Sequence, residues 1–148
     1  PNWFGSGAWA WTALLMMSLW GVGPAVVIYL AGLRDVPKQL HEAASLDGVG
    51  SWGRFVHVTL PMISPVILFN VVIGIINAAQ VFVIPLVMTG GGPGRSTYFF
   101  AMYVYDQAFQ YGDMGYASVL GLVQFAAILV LTGLVLLLGQ RFVYYRGA

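Results

Sequence analysis

Three amides interrupt an otherwise apolar stretch: Asn70 and Asn77 flank Gly74, and Gln80 follows. In a helix, Asn70, Gly74 and Asn77 fall at i, i+4 and i+7 on one face, and Gln80 lies one turn further along. Such a stripe of amide donors and acceptors suits a neutral, hydroxyl-rich solute better than an ion. The same groups equally serve as bonds between neighbouring helices, with glycine allowing close approach; residue type alone leaves both roles open. A second candidate is Trp20-Gly21-Val22-Gly23-Pro24. Pro24 removes a backbone bond and the glycines ease a bend, so Trp20 and Gly21 would line a break in a helix, with the indole as a stacking surface. Gln124 is the lone amide of a third apolar stretch and a lesser candidate. Nothing resembles a catalytic constellation. Glu42 and Asp47 sit in a polar loop, and His41 and His57 lack carboxylate or cysteine companions at ligand spacing. The absence of cysteine excludes a disulfide framework, a thiolate metal site and a cysteine nucleophile. Neither metal binding nor an enzymatic activity is expected of this chain.

These residues need apolar helices to carry them. Of 148 residues 59% are hydrophobic and 7% charged, with a mean hydropathy of +0.83. A soluble domain carries roughly a quarter of its residues charged, so the chain cannot cover its surface in water and belongs to the membrane class. Three apolar runs, about 8–33, 64–84 and 116–138, are each long enough to cross a hydrocarbon core of about 30 Å, and lipid requires them to be helical. The expected fold is all-α and polytopic. Arg34, Lys38 and Arg54 lie between the first two runs, and Arg141 and Arg146 follow the third; only Arg95 lies in the other loop. The positive-inside rule therefore places loop 34–61 and the C-terminus in the cytoplasm. Trp3, Trp9 and Trp11 would then mark the outer interface, and Tyr144 and Tyr145 the inner one. Because the chain begins at Pro1, without a signal peptide, it reads as a C-terminal fragment whose earlier spans are missing.

Loop 34–61, RDVPKQLHEAASLDGVGSWGRFVHVTLP, holds most of the polar residues. Asp35 is expected to cap a short helix running through Leu46, with Pro37 in its first turn, and Asp47-Gly48 signals a turn. Ser51 is expected to cap a second helix through about Val58, closed by Pro61. Leu40, Ala43 and Ala44 cluster at helical spacing, where small side chains admit another backbone, and Glu42 and Asp47 offer acceptors at the edge. A plain connection between spans needs no such pair of helices, whereas docking into a partner's groove does. Glu42-Ala43-Ala44, Asp47-Gly48 and Leu60-Pro61, with Trp52, Phe55, Val58 and Thr59 between them, resemble the EAA loop of binding-protein-dependent ABC importer permeases. That resemblance implies three C-terminal spans of a six-span, type I permease core. It also implies that Glu42, Ala43, Ala44, Asp47 and Gly48 form a coupling helix seated in a cytoplasmic ATPase.

The run Thr89-Gly90-Gly91-Gly92-Pro93-Gly94 lacks the Gly-Lys-Ser/Thr of a phosphate loop and reads as a turn. Between it and the third span, Tyr98 to Gln110 are expected to form an interfacial helix within loop 85–115. Its aromatics fit either sugar stacking or an interfacial belt, and Asp106 and Gln107 fit sugar hydroxyls or solvent. Together with Arg95-Ser96-Thr97, Ala108-Phe109 and Gly115-Tyr116-Ala117-Ser118, the Gly-rich run resembles the carbohydrate-uptake branch, and the MalF-type partner of maltose importers rather than the MalG-type companion. The resemblance favours the solute role for the second-span amides. It implies a bacterial inner-membrane protein working with a second permease subunit, a cytoplasmic ATPase dimer that holds ATP and Mg, an extracytoplasmic solute-binding protein and a carbohydrate solute, in a lipid bilayer and without nucleic acid. A polyol or a glycerol phosphate ester fits the same branch. The alternative, an ion-coupled secondary transporter or intramembrane enzyme, needs ionisable residues within its spans, and these three have none.

Overall fold

The computed structural model describes residues 2–143; Tyr144, Tyr145 and Arg146 lie outside the described residues. Among the described residues there are helices and turns but no strand, so the all-α fold holds. Two helical runs are long and apolar enough to cross a membrane, Gly7–Arg34 and Met114–Gly139, with mean hydropathies of 1.9 and 2.5. At ~1.5 Å per residue they reach about 42 Å and about 39 Å. The first run comprises α1 (Gly7–Ser18), a 3-10 turn at Leu19–Val22 and α2 (Gly23–Arg34). The break expected at Trp20–Pro24 is thus only a tightening of the helix. Pro24 falls in the first turn of α2, where its missing N–H does little harm.

The second span departs from expectation. Residues 64–84 do not form one helix: α6 (Ser64–Ala79) stops short, and α7 (Val83–Thr89) begins afresh. Pro85 cannot donate to the carbonyl four residues back and its ring clashes with it, but α7 accommodates it in the first turn. Before that restart the Gln80 N–H is shared between the carbonyls of Ile76 and Asn77, at 3.2 Å each. At 16 residues α6 is only about 24 Å long. It becomes span-length only together with Ser51–Met62, to which it joins at a 64° bend.

The loop helices also begin and end differently from the reading above. Pro37, not Asp35, occupies the cap position of α3 (Lys38–Leu46), because the residue before a proline is driven to extended backbone. Gly50 rather than Ser51 precedes α4 (Ser51–Arg54). Nor does Pro61 close the second helix. The chain passes through a π turn at Phe55–Thr59 into α5 (Leu60–Met62), with the Leu60 N–H donating to Phe55 O. The wider turn absorbs a proline that a regular helix would reject. The expected interfacial helix is α8 (Phe100–Tyr105) followed by a π turn at Asp106–Gln110, and α9 (Met114–Gly139) covers the third run.

The chain forms two compact units. One consists of the chain up to Val22 together with Ile75–Thr132. Ala10, Leu14, Met102, Ala108 and Ala117 are buried in it, and the Trp11 indole N–H donates to Ser96 O over 3.0 Å. The other consists of Gly23–Gly74 and the chain from Gly133 onward; Val36, Thr59 and Ile63 are buried there. Two glycines set its packing distance. A methyl group on Gly32 would come within 2.8 Å of Val66, and one on Gly139 within 2.6 Å of Leu68.

Candidate functional site

Loop 34–61 is shaped by its backbone. At the end of α3 the Val49 N–H donates to Ala44 O over 3.0 Å and the Gly48 N–H to Ser45 O over 3.2 Å. With Gly48 at φ +75°, this is the paired-bond helix ending in which a left-handed residue turns the chain back. Glu42, Ala43, Asp47 and Gly48 are exposed and Ala44 is half-buried, so all five predicted coupling residues lie on one short helix and its terminal turn. Beside them stand Leu46, which the sequence reading gave no role, and Trp52, which it named only within the loop's pattern. Leu46 is 88% and Trp52 77% exposed, and Trp52 stacks on Phe55 at 5.7 Å. An exposed leucine immediately before the Asp-Gly turn was the available signal.

The intramembrane amides separate into different environments. Asn70 donates to Val66 O of its own helix over 2.9 Å. Asn77 is exposed on α6, and a side chain on Gly74 would meet nothing. Gln80, just beyond the end of α6, lines a cavity of about 410 Å³ together with Gln124, Ile76, Ala101, Gly121 and Phe125. That size lies within the range of about 300–1,000 Å³ usual for small-molecule sites. Gln124 donates its Nε2 to Ala79 O over 2.7 Å, so the lesser candidate of the third run proves to be the best-tied amide. Trp20 is 91% exposed in its 3-10 turn beside Gly21 and lines neither this cavity nor a second, of about 540 Å³, between Leu60, Leu68, Val135 and Phe142.

The Gly-rich turn is a closed knot. Thr97 is 1% exposed; its hydroxyl donates to Gly92 O over 2.8 Å and lies 2.6 Å from the Thr89 hydroxyl. Replacing Thr97 with valine takes the donor from Gly92 O, while the Thr89 hydroxyl keeps its bond to Pro85 O, at a cost of about 1–3 kcal/mol. A lower Tm in detergent is expected for the full-length permease, and Thr97→Ser should restore it; an unchanged Tm for the valine variant would rule out the knot as a stabilising element. Beyond it the Tyr98 phenol donates to Asp106 Oδ2. Burial, then that bond and the carboxylate charge, push Tyr98 up to about 12. Folding thus favours the neutral phenol, a contribution fully present below about pH 10 and lost as pH rises through about 12. Asp106→Asn should move the phenol back toward its ordinary value, read by NMR of ring-labelled tyrosine; an unmoved titration would dismiss the pair. Tyr105 stands between Phe82 and Phe109 at 5.1 and 5.0 Å, and Phe109 and Tyr111 are 67% and 69% exposed.

Residues 1–144 match the family described as binding-protein-dependent transport system inner membrane component. The chain belongs to that family. It is therefore an integral membrane protein, and its long apolar helices face lipid or other membrane helices. Inner membrane components similar to it include the sulfoquinovosyl glycerol transport system permease protein SmoG of Agrobacterium fabrum, 40% identical over 90% of this chain and 44% of that protein. The trehalose/maltose transport system permease protein MalF of Thermococcus litoralis is 34% identical over 94% of this chain and 47% of its own length. The arabinooligosaccharides transport system permease protein AraP of Bacillus subtilis is 32% identical over 95% of this chain and 46% of its own. The chain thus spans less than half the length of these relatives. In this inner membrane component the loop α3–α5 and the Gln80 cavity are the two candidate sites. Among the described residues no group of three or more His, Asp or Glu side chains stands together as a metal site would require.

Proposed function

We propose that this chain supplies part of the solute path and the coupling element of an ATP-driven sugar importer. The observation that carries the reading is the exposed helix α3 with its left-handed Gly48 turn, flanked by the apolar side chains of Leu46 and Trp52. A short helix offering apolar and acidic side chains fits a groove of another protein. That partner is a cytoplasmic ATPase pair; ATP and Mg2+ belong to it, and this chain binds neither. With loop 34–61 cytoplasmic, the C-terminus is cytoplasmic too, and the Gly-rich knot faces outward, where a soluble binding protein delivers solute to this subunit and a second permease. ATP-driven movement of α3 then opens the path alternately to each side. The names of the relatives support a carbohydrate solute, and the Gln80 amide in the cavity is the group that would bond its hydroxyls.

The test is cross-linking in membranes with the full-length permease and its ATPase subunit. Ala44→Cys introduces a thiol into a sequence that has none. A cross-link into the ATPase cleft is the expected product; its absence with both proteins present and folded would defeat the coupling assignment.

A further inference from the structure

Helix α6 ends within an apolar run of the chain, and lipid could not bond its last carbonyls. Such groups must be satisfied by protein. Those of Ile76 and Asn77 accept from the Gln80 N–H, and that of Ala79 accepts from Gln124 Nε2, 45 residues away on α9. Gln124 is half-buried and shares one face of α9 with Gly121, Phe125 and Ile128, at i, i+3, i+4 and i+7. These four line the same cavity as Ile76 and Gln80. The bonded carbonyl therefore belongs to the residue immediately before Gln80, at the point where the chain leaves helical geometry.

We propose that Gln124 is a positioning residue: its amide ties the carbonyl end of α6 to α9 and thereby aims the Gln80 side chain into the cavity. The role rests on the reading of that cavity as part of the solute path, but the bond itself does not. A solute has no need to touch the Gln124 nitrogen, because Ala79 O already occupies it. The geometry of the break at residues 80–82 follows from the tie.

The experiment uses the full-length permease assembled with its partner subunits in proteoliposomes, with two readouts. Hydrogen exchange of a peptide covering residues 79–86 is measured without solute. Uptake is measured with the solutes named for the relatives above, namely sulfoquinovosyl glycerol, trehalose, maltose and arabino-oligosaccharides, the fastest serving as probe. Gln124→Leu keeps the bulk and removes the donor. It should speed exchange at the break and raise KM for the probe sugar, each by about tenfold, or about 1.4 kcal/mol, with the maximal rate little changed. Gln124→Glu can donate only when its carboxyl is protonated, so protection, corrected for the intrinsic exchange rate, should return as pH falls. Unchanged exchange in the leucine variant would overturn the proposal, as would leucine-like exchange of the glutamate variant at every pH. Faster exchange with a normal KM would overturn the aiming of Gln80. A wild-type importer that takes up none of these sugars, with the exchange response intact, would support the tie and refute the sugar path instead.

Discussion

Gly48→Val should cut uptake by about tenfold or more, the factor that ~1.4 kcal/mol represents, while leaving the amount of protein in the membrane unchanged. Gly48 sits at φ +75°, and a side chain added there would meet nothing within 4 Å. The effect is therefore purely one of backbone: left-handed geometry costs an ordinary L-residue roughly 1–2 kcal/mol, and a β-branched one is a true outlier. Relieving that strain means releasing the bonds from Val49 to Ala44 and from Gly48 to Ser45, so Leu46 and Glu42 lose their fixed presentation. Gly48→Asn, which tolerates this conformation, should retain most uptake. Glu42→Ala tests the acidic contact separately and should also impair uptake. Solute uptake by cells producing the full-length variants, normalised to membrane abundance, is the measurement; full uptake by Gly48→Val would count against the coupling role.

Gln80→Leu should raise the KM for the transported sugar by about tenfold or more, because a hydroxyl facing leucine forfeits a bond and remains desolvated, at about 1–3 kcal/mol. Leucine preserves bulk, so packing around the cavity changes little. Asn70→Leu is the control: its amide is already bonded to Val66 O within α6, and KM should stay near wild type. Equal effects of the two substitutions would mean that the whole amide stripe, rather than the residue at the break, faces the solute. No effect of Gln80→Leu would remove the 410 Å³ cavity from the path.

Composition made the apolar helices legible, since 7% charged residues is far below the roughly one quarter of a typical soluble domain. The turn at Asp47-Gly48 was legible too, though its left-handed form at Gly48 came only with the backbone. What escaped the sequence reading was chiefly the behaviour of prolines. Pro61 and Pro85 each looked like a boundary, and Pro24 like a break within a span. Pro61 is absorbed after a π turn, Pro24 falls in the first turn of α2, and Pro85 lies in the first turn of a new helix after a gap that hydropathy does not register. The separate fates of Asn70, Gln80 and Gln124 were equally hidden. A side chain's hydrogen-bond partner depends on where its helix stops and which helix stands beside it, and the i, i+4, i+7 rule carries neither fact.

The 64° bend at Ile63 turns Ser51–Met62 into a crank. The Ile63 N–H donates to Thr59 O and the Ile67 N–H to Ile63 O, at 3.0 Å each, so Ile63 is bonded on both sides of the elbow, and it is itself 7% exposed. Twelve helical residues make an arm of about 18 Å, along which a rotation of ~10° at the elbow would sweep the far end through about 3 Å. A push received at the loop would thus reach α6 as torque rather than as stretch.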